Sequence, residues 1–173
     1  MLINSPTIIT LSRIFLVPFI FIAAYYDKDF LLLCLFLFGS LTDWLDGFLA
    51  RALNQTTNLG AILDPIADKI FVCSWYILFG FFSKKYILPD WFVYFIITKE
   101  ILLALGAIFL ILKNNKFKII PSNLAKFLMS LYLILIFIVL QNLFFLKKIF
   151  IFLIVILSCL VLIDYALKEK KYV

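Results

Sequence analysis

Four aspartates and one arginine stand close together in an otherwise apolar part of this chain. They are Asp43, Asp46, Arg51, Asp64 and Asp68, and the whole sequence has only ten acidic residues. A carboxylate in or beside hydrocarbon is costly, so by default it marks a functional site with a partner. No nearby set of basic residues could neutralise four carboxylates, and we therefore expect the partner to be a metal ion.

The spacing of the acids predicts that helices bring them together. Asp43 and Asp46 are three residues apart, and Asp64 and Asp68 are four apart, which puts each pair on one helix face. Two antiparallel helices joined by a short loop can then direct all four carboxylates into one cavity. The chain has no histidine, and a cage of oxygen ligands suits Mg²⁺, Mn²⁺ or Ca²⁺. Four acids could hold one ion, or two ions about 4 Å apart as in many phosphoryl-transfer sites.

The residues around the acids indicate a phosphorylated ligand. Arg51 is a suitable fork for a diphosphate oxygen. The small residues Gly47, Ala50 and Gly60 leave room for a backbone to approach a ligand closely. A site with a divalent metal and a phosphate-seeking arginine, placed in a membrane, suggests a lipid-linked diphosphate substrate.

The composition determines which elements must carry this site. The chain has 173 residues and is 66% hydrophobic, whereas a soluble domain is roughly half apolar. Six apolar runs each approach the roughly 20 residues that a spanning helix needs; they cover about 7–26, 30–50, 62–83, 89–112, 122–143 and 145–167. Because the connections are short, neighbouring helices should be antiparallel. We predict an all-α integral membrane bundle of six transmembrane helices, forming a single domain over residues 1–173.

The basic residues predict how this bundle is oriented. The net charge is +6, and cytoplasmic loops favour lysine and arginine. Arg51 and the lysines near positions 113–118 and 168–171 place the N-terminus and C-terminus inside. We therefore expect a multi-pass protein of the cell membrane with its aspartates near the cytoplasmic face, and no nucleic-acid partner.

The complete pattern resembles that of a known family. Asp43-x2-Asp46-Gly47-x2-Ala50-Arg51-x8-Gly60-x3-Asp64-x3-Asp68 is similar, at every fixed position, to the signature of the CDP-alcohol phosphatidyltransferases. The resemblance implies an enzyme that moves a phosphatidyl group from CDP-diacylglycerol to an alcohol and releases CMP. It also implies Mg²⁺ or Mn²⁺, two ions in all, and a homodimer.

The resemblance further implies a role for each residue of the pattern. The implied metal ligands are Asp43, Asp46, Asp64 and Asp68. Asp68 would also be the general base that takes the proton of the acceptor hydroxyl. The implied contacts to the CDP moiety and its diphosphate are Gly47, Ala50, Arg51 and Gly60.

The acceptor alcohol is less strongly indicated. TDWLDGFLAR and GAILDPIADK are similar to the branch of the family that uses glycerol 3-phosphate. That branch usually has an Arg-Glu pair in helix 4 and a second arginine eight residues later, where this chain has Lys99-Glu100 and Ala107. Glycerol 3-phosphate is a dianion, and Arg13, Lys99 and Lys126 could supply the charge that it needs. The alternatives are phosphatidylglycerol, as in the related cardiolipin synthases, and other acceptors such as serine or inositol phosphate.

Some of these basic residues also have simpler interpretations. Arg13 could be an interfacial residue whose long side chain reaches the membrane surface. Lys99 and Glu100 point in different directions on a helix, so each is expected to have its own partner. Two other classes of protein remain as alternatives, a membrane prenyltransferase and a small ion transporter, and neither should release CMP from CDP-diacylglycerol.

Overall fold

Helices joined by short turns make up the part of the chain that the structure describes. The computed structural model describes residues 5–53, 58–113 and 123–169, and the side chains within 12–42, 66–106 and 123–165. Six α-helices and one π-helical segment (Leu78–Phe82) occupy these ranges. The helices are α1 (Ser5–Tyr25), α2 (Asp29–Leu53), α3 (Asn58–Ile77), α4 (Asp90–Lys113), α5 (Asn123–Leu140) and α6 (Phe144–Glu169). The all-α prediction is confirmed.

The chain divides into two compact units, Met1–Leu88 and Pro89–Val173. In the first unit, α1 packs against both α2 and α3. The turn between α1 and α2 needs only three residues because Asp27 adopts the left-handed conformation, with a φ of 50°. Lys28 then donates its N–H to the carbonyl of Ala23 at 2.9 Å, and Asp27 donates to Ala24 at 3.1 Å. This Schellman pattern satisfies the last carbonyls of α1 and reverses the chain.

The core of the first unit is built from aromatic rings. Trp75 of α3 is fully buried. It meets Phe36 of α2 edge-on, with ring centroids 5.8 Å apart, and it also contacts Phe71 and Phe79 at 6.3 Å and 5.6 Å. Tilted and edge-to-face pairs of this kind are favourable beyond the apolar area that they bury. They fix α3 against the apolar half of α2.

A π-helical segment ends α3. Ser83 donates its N–H to the carbonyl of Leu78 at 2.8 Å, which is the five-residue step of a π-helix. Leu88 then donates to Phe79 at 3.0 Å, so the chain folds back over the segment before α4 begins at Asp90. The apolar run predicted a continuous helix here. A π-helical turn has the same apolar residues as an α-helix and differs only in its hydrogen-bond step, so the sequence pattern does not distinguish the two.

The second unit contains α4, α5 and α6. A Schellman turn again joins its hairpin: Asn142 has a φ of 55°, and Leu143 donates to Ile138 at 3.1 Å. The helices α5 and α6 pack along each other, and α4 packs against α6. The face of α5 that lies inside includes Leu128, Leu131, Tyr132, Leu135, Ile136, Ile138 and Val139.

Two helices in the described part of the chain are long and apolar enough to cross a membrane, at Asn123–Leu140 and Phe144–Tyr165. Many large apolar side chains lie on the outside, and Phe15 and Phe152 are 69% and 72% exposed. Such an exterior is typical of helices that face lipid. Membrane insertion of all six helices, and a single domain over residues 1–173, stay predictions.

Helix boundaries differ from the predicted ones mainly around the aspartates. The helix α3 begins at Asn58 rather than near residue 62, and α2 continues to Leu53 rather than ending near residue 50. The polar residues there weaken an apolar signal without interrupting the helix. Gly60 and Asp64 therefore lie within α3.

Candidate active site

The four aspartates lie on two helices of the first unit. Asp43 and Asp46 belong to α2, and Asp64 and Asp68 belong to α3. Their separations of three and four residues, now on confirmed helices, keep each pair at neighbouring positions of one face. Of the four, only Asp68 has a described side chain.

The remaining predicted diphosphate contacts lie on the same two helices. Gly47, Ala50 and Arg51 are in α2, and Gly60 is in α3. Their side-chain surroundings, like those of Asp43, Asp46 and Asp64, lie outside the described residues. Their roles stay predictions.

A glycine lets α2 approach α3 just before the aspartates. Gly39 is buried in α2, four residues ahead of Asp43. A Cβ atom at this position would lie only 2.6 Å from Cε2 and 3.1 Å from Cε1 of Phe71 in α3. Phe71 is itself three residues beyond Asp68, so this contact fixes the spacing of the two helices beside the acids.

Arg13 and Asp68 form an ion pair between α1 and α3. Nη1 of Arg13 contacts Oδ1 of Asp68, and the arginine is 2% exposed whereas the carboxylate is 28% exposed. The interpretation of Arg13 as an interfacial residue is therefore wrong. The long side chain of Arg13 points inward because the carboxylate of Asp68 compensates the charge of the buried guanidinium. The guanidinium orients the carboxylate that the family resemblance implies as general base.

The second unit contains its own buried polar cluster. Lys99 and Glu100 are neighbours in α4, and Nζ of Lys99 lies 2.5 Å from Oε1 of Glu100. Lys99 also donates to the hydroxyl of Tyr132 in α5 at 2.7 Å, and that hydroxyl donates to Oε1 of Glu100 at 3.4 Å. Lys99 and Glu100 pair with each other because the flexible lysine stem lets the ammonium reach back to its neighbour; a separate partner for each stays a prediction.

The structure adds one residue to those that sequence reasoning selected. Tyr132 is fully buried, and it links both members of the Lys99-Glu100 pair. The available signal was the single tyrosine of α5, because a buried hydroxyl needs a hydrogen-bond partner. Lys126, the third predicted acceptor residue, lies exposed in the first turn of α5.

A third ionic group lies at the other end of α2. Tyr86 donates its hydroxyl to Oδ1 of Asp29 at 2.6 Å, and Nζ of Lys85 contacts Oδ2 of the same carboxylate. The hydrogen bond from Lys85 holds the pKa of Asp29 below its ordinary value of 3.8, and it raises the pKa of Lys85 above 10.5. The stabilisation from this pair is therefore complete between pH 3.8 and 10.5 and declines outside that window. Asp29 is about 20 Å along α2 from Asp43, so this cluster is not part of the aspartate site.

The donor set of the aspartate site fits a hard divalent cation by its chemistry. Four carboxylates without histidine or cysteine offer the oxygen ligands that Mg²⁺ and Mn²⁺ prefer. Among the described side chains, no group of three or more histidine, cysteine, aspartate or glutamate residues lies together. Three of the four aspartates lie outside that part of the chain.

Comparison with known proteins identifies a family. The model of the CDP-alcohol phosphatidyltransferase family matches residues 3–162. This match covers both compact units, and it includes every aspartate of the site together with Arg13, Lys99 and Lys126.

Individual relatives have a common name. The chain is 42% identical over 124 residues to the CDP-diacylglycerol–glycerol-3-phosphate 3-phosphatidyltransferase of Aquifex aeolicus, and the aligned part covers 72% of this chain and 68% of that protein. Proteins with the same name from Wigglesworthia glossinidia brevipalpis and Escherichia coli K12 are 52% and 46% identical over 75 and 72 residues. Those alignments cover 42% and 40% of this chain, and only 41% and 40% of the two relatives.

Proposed function

We propose, because this chain belongs to the CDP-alcohol phosphatidyltransferase family, that it transfers a phosphatidyl group from CDP-diacylglycerol to glycerol 3-phosphate. The products are phosphatidylglycerophosphate and CMP. The observation that carries the reaction class is the pattern of four aspartates on α2 and α3 within the matched region. The choice of acceptor is supported by the relatives, which are named for transfer to glycerol 3-phosphate.

The reaction exchanges one phosphorus–oxygen bond for another. The acceptor hydroxyl oxygen bonds to the phosphorus that carries diacylglycerol, and the bond from that phosphorus to the bridging oxygen breaks. CMP leaves with the bridging oxygen. The proton of the acceptor hydroxyl passes to Asp68, whose Oδ1 is held by Arg13, and we assign the transfer to its other oxygen, Oδ2.

The aspartates would hold two divalent ions. We assign Asp43, Asp46 and Asp64 as ligands and Asp68 as a ligand of the second ion. When bound, Mg²⁺ or Mn²⁺ would withdraw charge from the diphosphate and so improve CMP as a leaving group. Positioning and electrostatic stabilisation, rather than a covalent enzyme group, would supply the rate enhancement.

The residues around the acids would bind the CDP moiety. Arg51 would bind diphosphate oxygens as a two-pronged donor. The absence of bulky side chains at Gly47, Ala50 and Gly60 would let the backbone approach the nucleotide closely. The positive-inside bias supports a site near the cytoplasmic face of a multi-pass membrane protein, and the family resemblance supports a homodimer.

The acceptor site would use the cations outside the aspartate cluster. Lys99 and Lys126 are assigned to the phosphate of glycerol 3-phosphate. The contact of Arg13 with Asp68 supports a role in orienting the base, and direct acceptor binding by Arg13 stays a prediction. A specific observation favours phosphatidylglycerol as the second candidate acceptor: Glu100 already compensates the charge of Lys99, and phosphatidylglycerol has no phosphate monoester to bind.

One assay tests both acceptors. The purified protein in detergent, with CDP-diacylglycerol and Mg²⁺ or Mn²⁺, is offered glycerol 3-phosphate and phosphatidylglycerol in separate reactions. Phosphatidylglycerophosphate together with CMP is the expected result. Cardiolipin together with CMP would transfer the assignment to the second acceptor, and no CMP with any acceptor would overturn the proposed reaction.

A further inference from the structure

Lys99, Glu100 and Tyr132 form a buried polar cluster that the stability of a helix bundle does not require. All three residues are buried, with Tyr132 fully so. Replacing a buried ion pair by apolar residues is often neutral or stabilising, so such a pair is weak evidence for a structural role. Charged groups within membrane helices are costly and by default mark a functional site.

The donors and acceptors of the cluster determine what the tyrosine does. An ammonium has donors only, so the phenol oxygen must accept the 2.7 Å hydrogen bond from Lys99. The single phenol proton can then be donated to Glu100, at 3.4 Å.

This arrangement compensates for a geometric weakness of the pair. Neighbouring residues on a helix do not face each other, so Lys99 reaches Glu100 only by bending a stem with many rotamers. Holding such a side chain in one geometry costs conformational entropy. Tyr132 comes from another helix and contacts the ammonium from a second direction, so it fixes the position of the positive charge relative to both α4 and α5.

We propose that Tyr132 is a positioning residue for acceptor recognition: its hydroxyl holds the Lys99 ammonium in the orientation that binds the anionic phosphate of the acceptor. This inference rests on the proposed function, because it presumes that Lys99 binds acceptor. Tyr132 contacts the lysine and the glutamate, and its effect on the reaction passes through them.

The first test separates acceptor affinity from turnover. Tyr132→Phe removes one oxygen atom and keeps the ring, and we expect it to raise KM for glycerol 3-phosphate about tenfold, since a hydrogen bond to a charged group is lost. The kcat value and KM for CDP-diacylglycerol should change less than about twofold. The matched control is Tyr25→Phe at an 82% exposed tyrosine, which should leave all three constants unchanged.

A double-mutant cycle tests whether Tyr132 acts through Lys99. Lys99→Gln removes the charge and keeps a donor for its partners, so the variant should still fold. If the tyrosine works by placing the ammonium, Tyr132→Phe should have no further effect on KM in the Lys99→Gln background. Equal effects in both backgrounds would contradict the proposal, as would a loss of kcat with KM unchanged, which indicates a merely structural role.

A spectroscopic measurement keeps the proposal separable from the proposed function. The chain has two glutamates, Glu100 and Glu169, so isotope-labelled glutamate in a Glu169→Gln variant reports on Glu100 alone. Its infrared carboxylate band should shift when glycerol 3-phosphate is added, and this shift should be lost in Tyr132→Phe but kept in Tyr25→Phe. A wild-type protein that turns over only phosphatidylglycerol would refute glycerol 3-phosphate as the acceptor. The same kinetic and infrared comparisons would then be made with phosphatidylglycerol, and they would decide the role of Tyr132. A band that responds to neither acceptor, or that responds equally in Tyr132→Phe, would overturn the inference.

Discussion

The spacing of α2 and α3 beside the aspartates can be tested by adding one methyl group. Gly39 and Gly106 are both glycines within helices, but their surroundings differ. A Cβ atom at Gly39 would overlap the Phe71 ring, whereas a Cβ atom at Gly106 would meet no atom within 4 Å. The two Gly→Ala substitutions therefore add the same atoms to the same kind of backbone and differ only in packing.

The expected free energies follow from two opposing effects. Alanine is favoured over glycine in a helix by about 1 kcal/mol, and both variants gain this. Overpacking a buried site costs about 1–3 kcal/mol, and only Gly39→Ala incurs it. Phe71 is 3% exposed and packs against Trp75, so the ring has little room to move away. We expect Gly39→Ala to be about 2 kcal/mol less stable than Gly106→Ala.

The measurement is thermal unfolding in detergent at a fixed scan rate. For a chain of this size, 1 kcal/mol corresponds to about 2–4 °C, so the two variants should differ in Tm by about 4–8 °C. Gly39→Ala should also lower kcat, because Asp43 and Asp68 lie one turn from the altered contact. The double variant Gly39→Ala/Phe71→Leu should recover part of the loss, since the smaller side chain makes room.

A particular result would refute this reasoning. If Gly39→Ala and Gly106→Ala raised Tm by the same amount, α2 would not approach α3 closely at Gly39. A fall in Tm for Gly39→Ala that Phe71→Leu did not reduce would show that the cost arises elsewhere than at the Phe71 ring.

Three further predictions concern single charged or polar groups. Arg13→Gln should lower the free energy of unfolding by about 2–3 kcal/mol, which is less than the roughly 3–5 kcal/mol for a fully buried pair because Asp68 is partly exposed. Adding Asp68→Asn should restore stability in thermal scans, because it removes the unpaired carboxylate. No recovery in the double variant would contradict the ion pair. Burial, and secondly the hydrogen bond to a carboxylate, raise the pKa of Tyr86 to about 12, so its stabilisation declines as the pH rises above 10. In a near-ultraviolet titration, one of the eight tyrosines should ionise late, and Tyr86→Phe should remove that step. Asp64→Asn should reduce turnover about 100-fold or more, whereas the exposed control Asp90→Asn should not; near-normal turnover of Asp64→Asn would contradict its assignment as a metal ligand.

The sequence predicted the helices well because the physical signal was strong. Apolar runs of membrane length, separated by short polar connections, leave few alternatives to an antiparallel helical bundle. The π-helical segment could not be predicted in this way, since its residues are as apolar as those of a regular helix. The start of α3 was placed too late because Asn58 and Gly60 weaken the apolar run without interrupting the helix.

The sequence was less informative about the partners of charged side chains. Spacing along one helix places Asp64 and Asp68 on one face, but it contains no information about residues on other helices. The pairing of Arg13 with Asp68 depends on how α1 packs against α3. The contact of Tyr132 with Lys99 depends on the meeting of α4 and α5. In both cases long, flexible side chains make several arrangements possible, and tertiary packing selects one.

The two buried ion pairs lead to one argument about acceptor choice. Arg13 is neutralised by Asp68 and Lys99 by Glu100, so neither cation adds net charge to its surroundings. We expect a dianionic acceptor bound by Lys99 to gain from the direction of its fixed ammonium rather than from a surplus of positive charge, because a preorganised group need not be reoriented when the ligand binds. Ala107 stands where the resembling branch usually has a second arginine, so we expect acceptor attraction to depend strongly on how accurately Lys99 is held. Acceptor specificity in this chain should therefore depend on the hydroxyl of Tyr132 as much as on the lysine whose charge it positions.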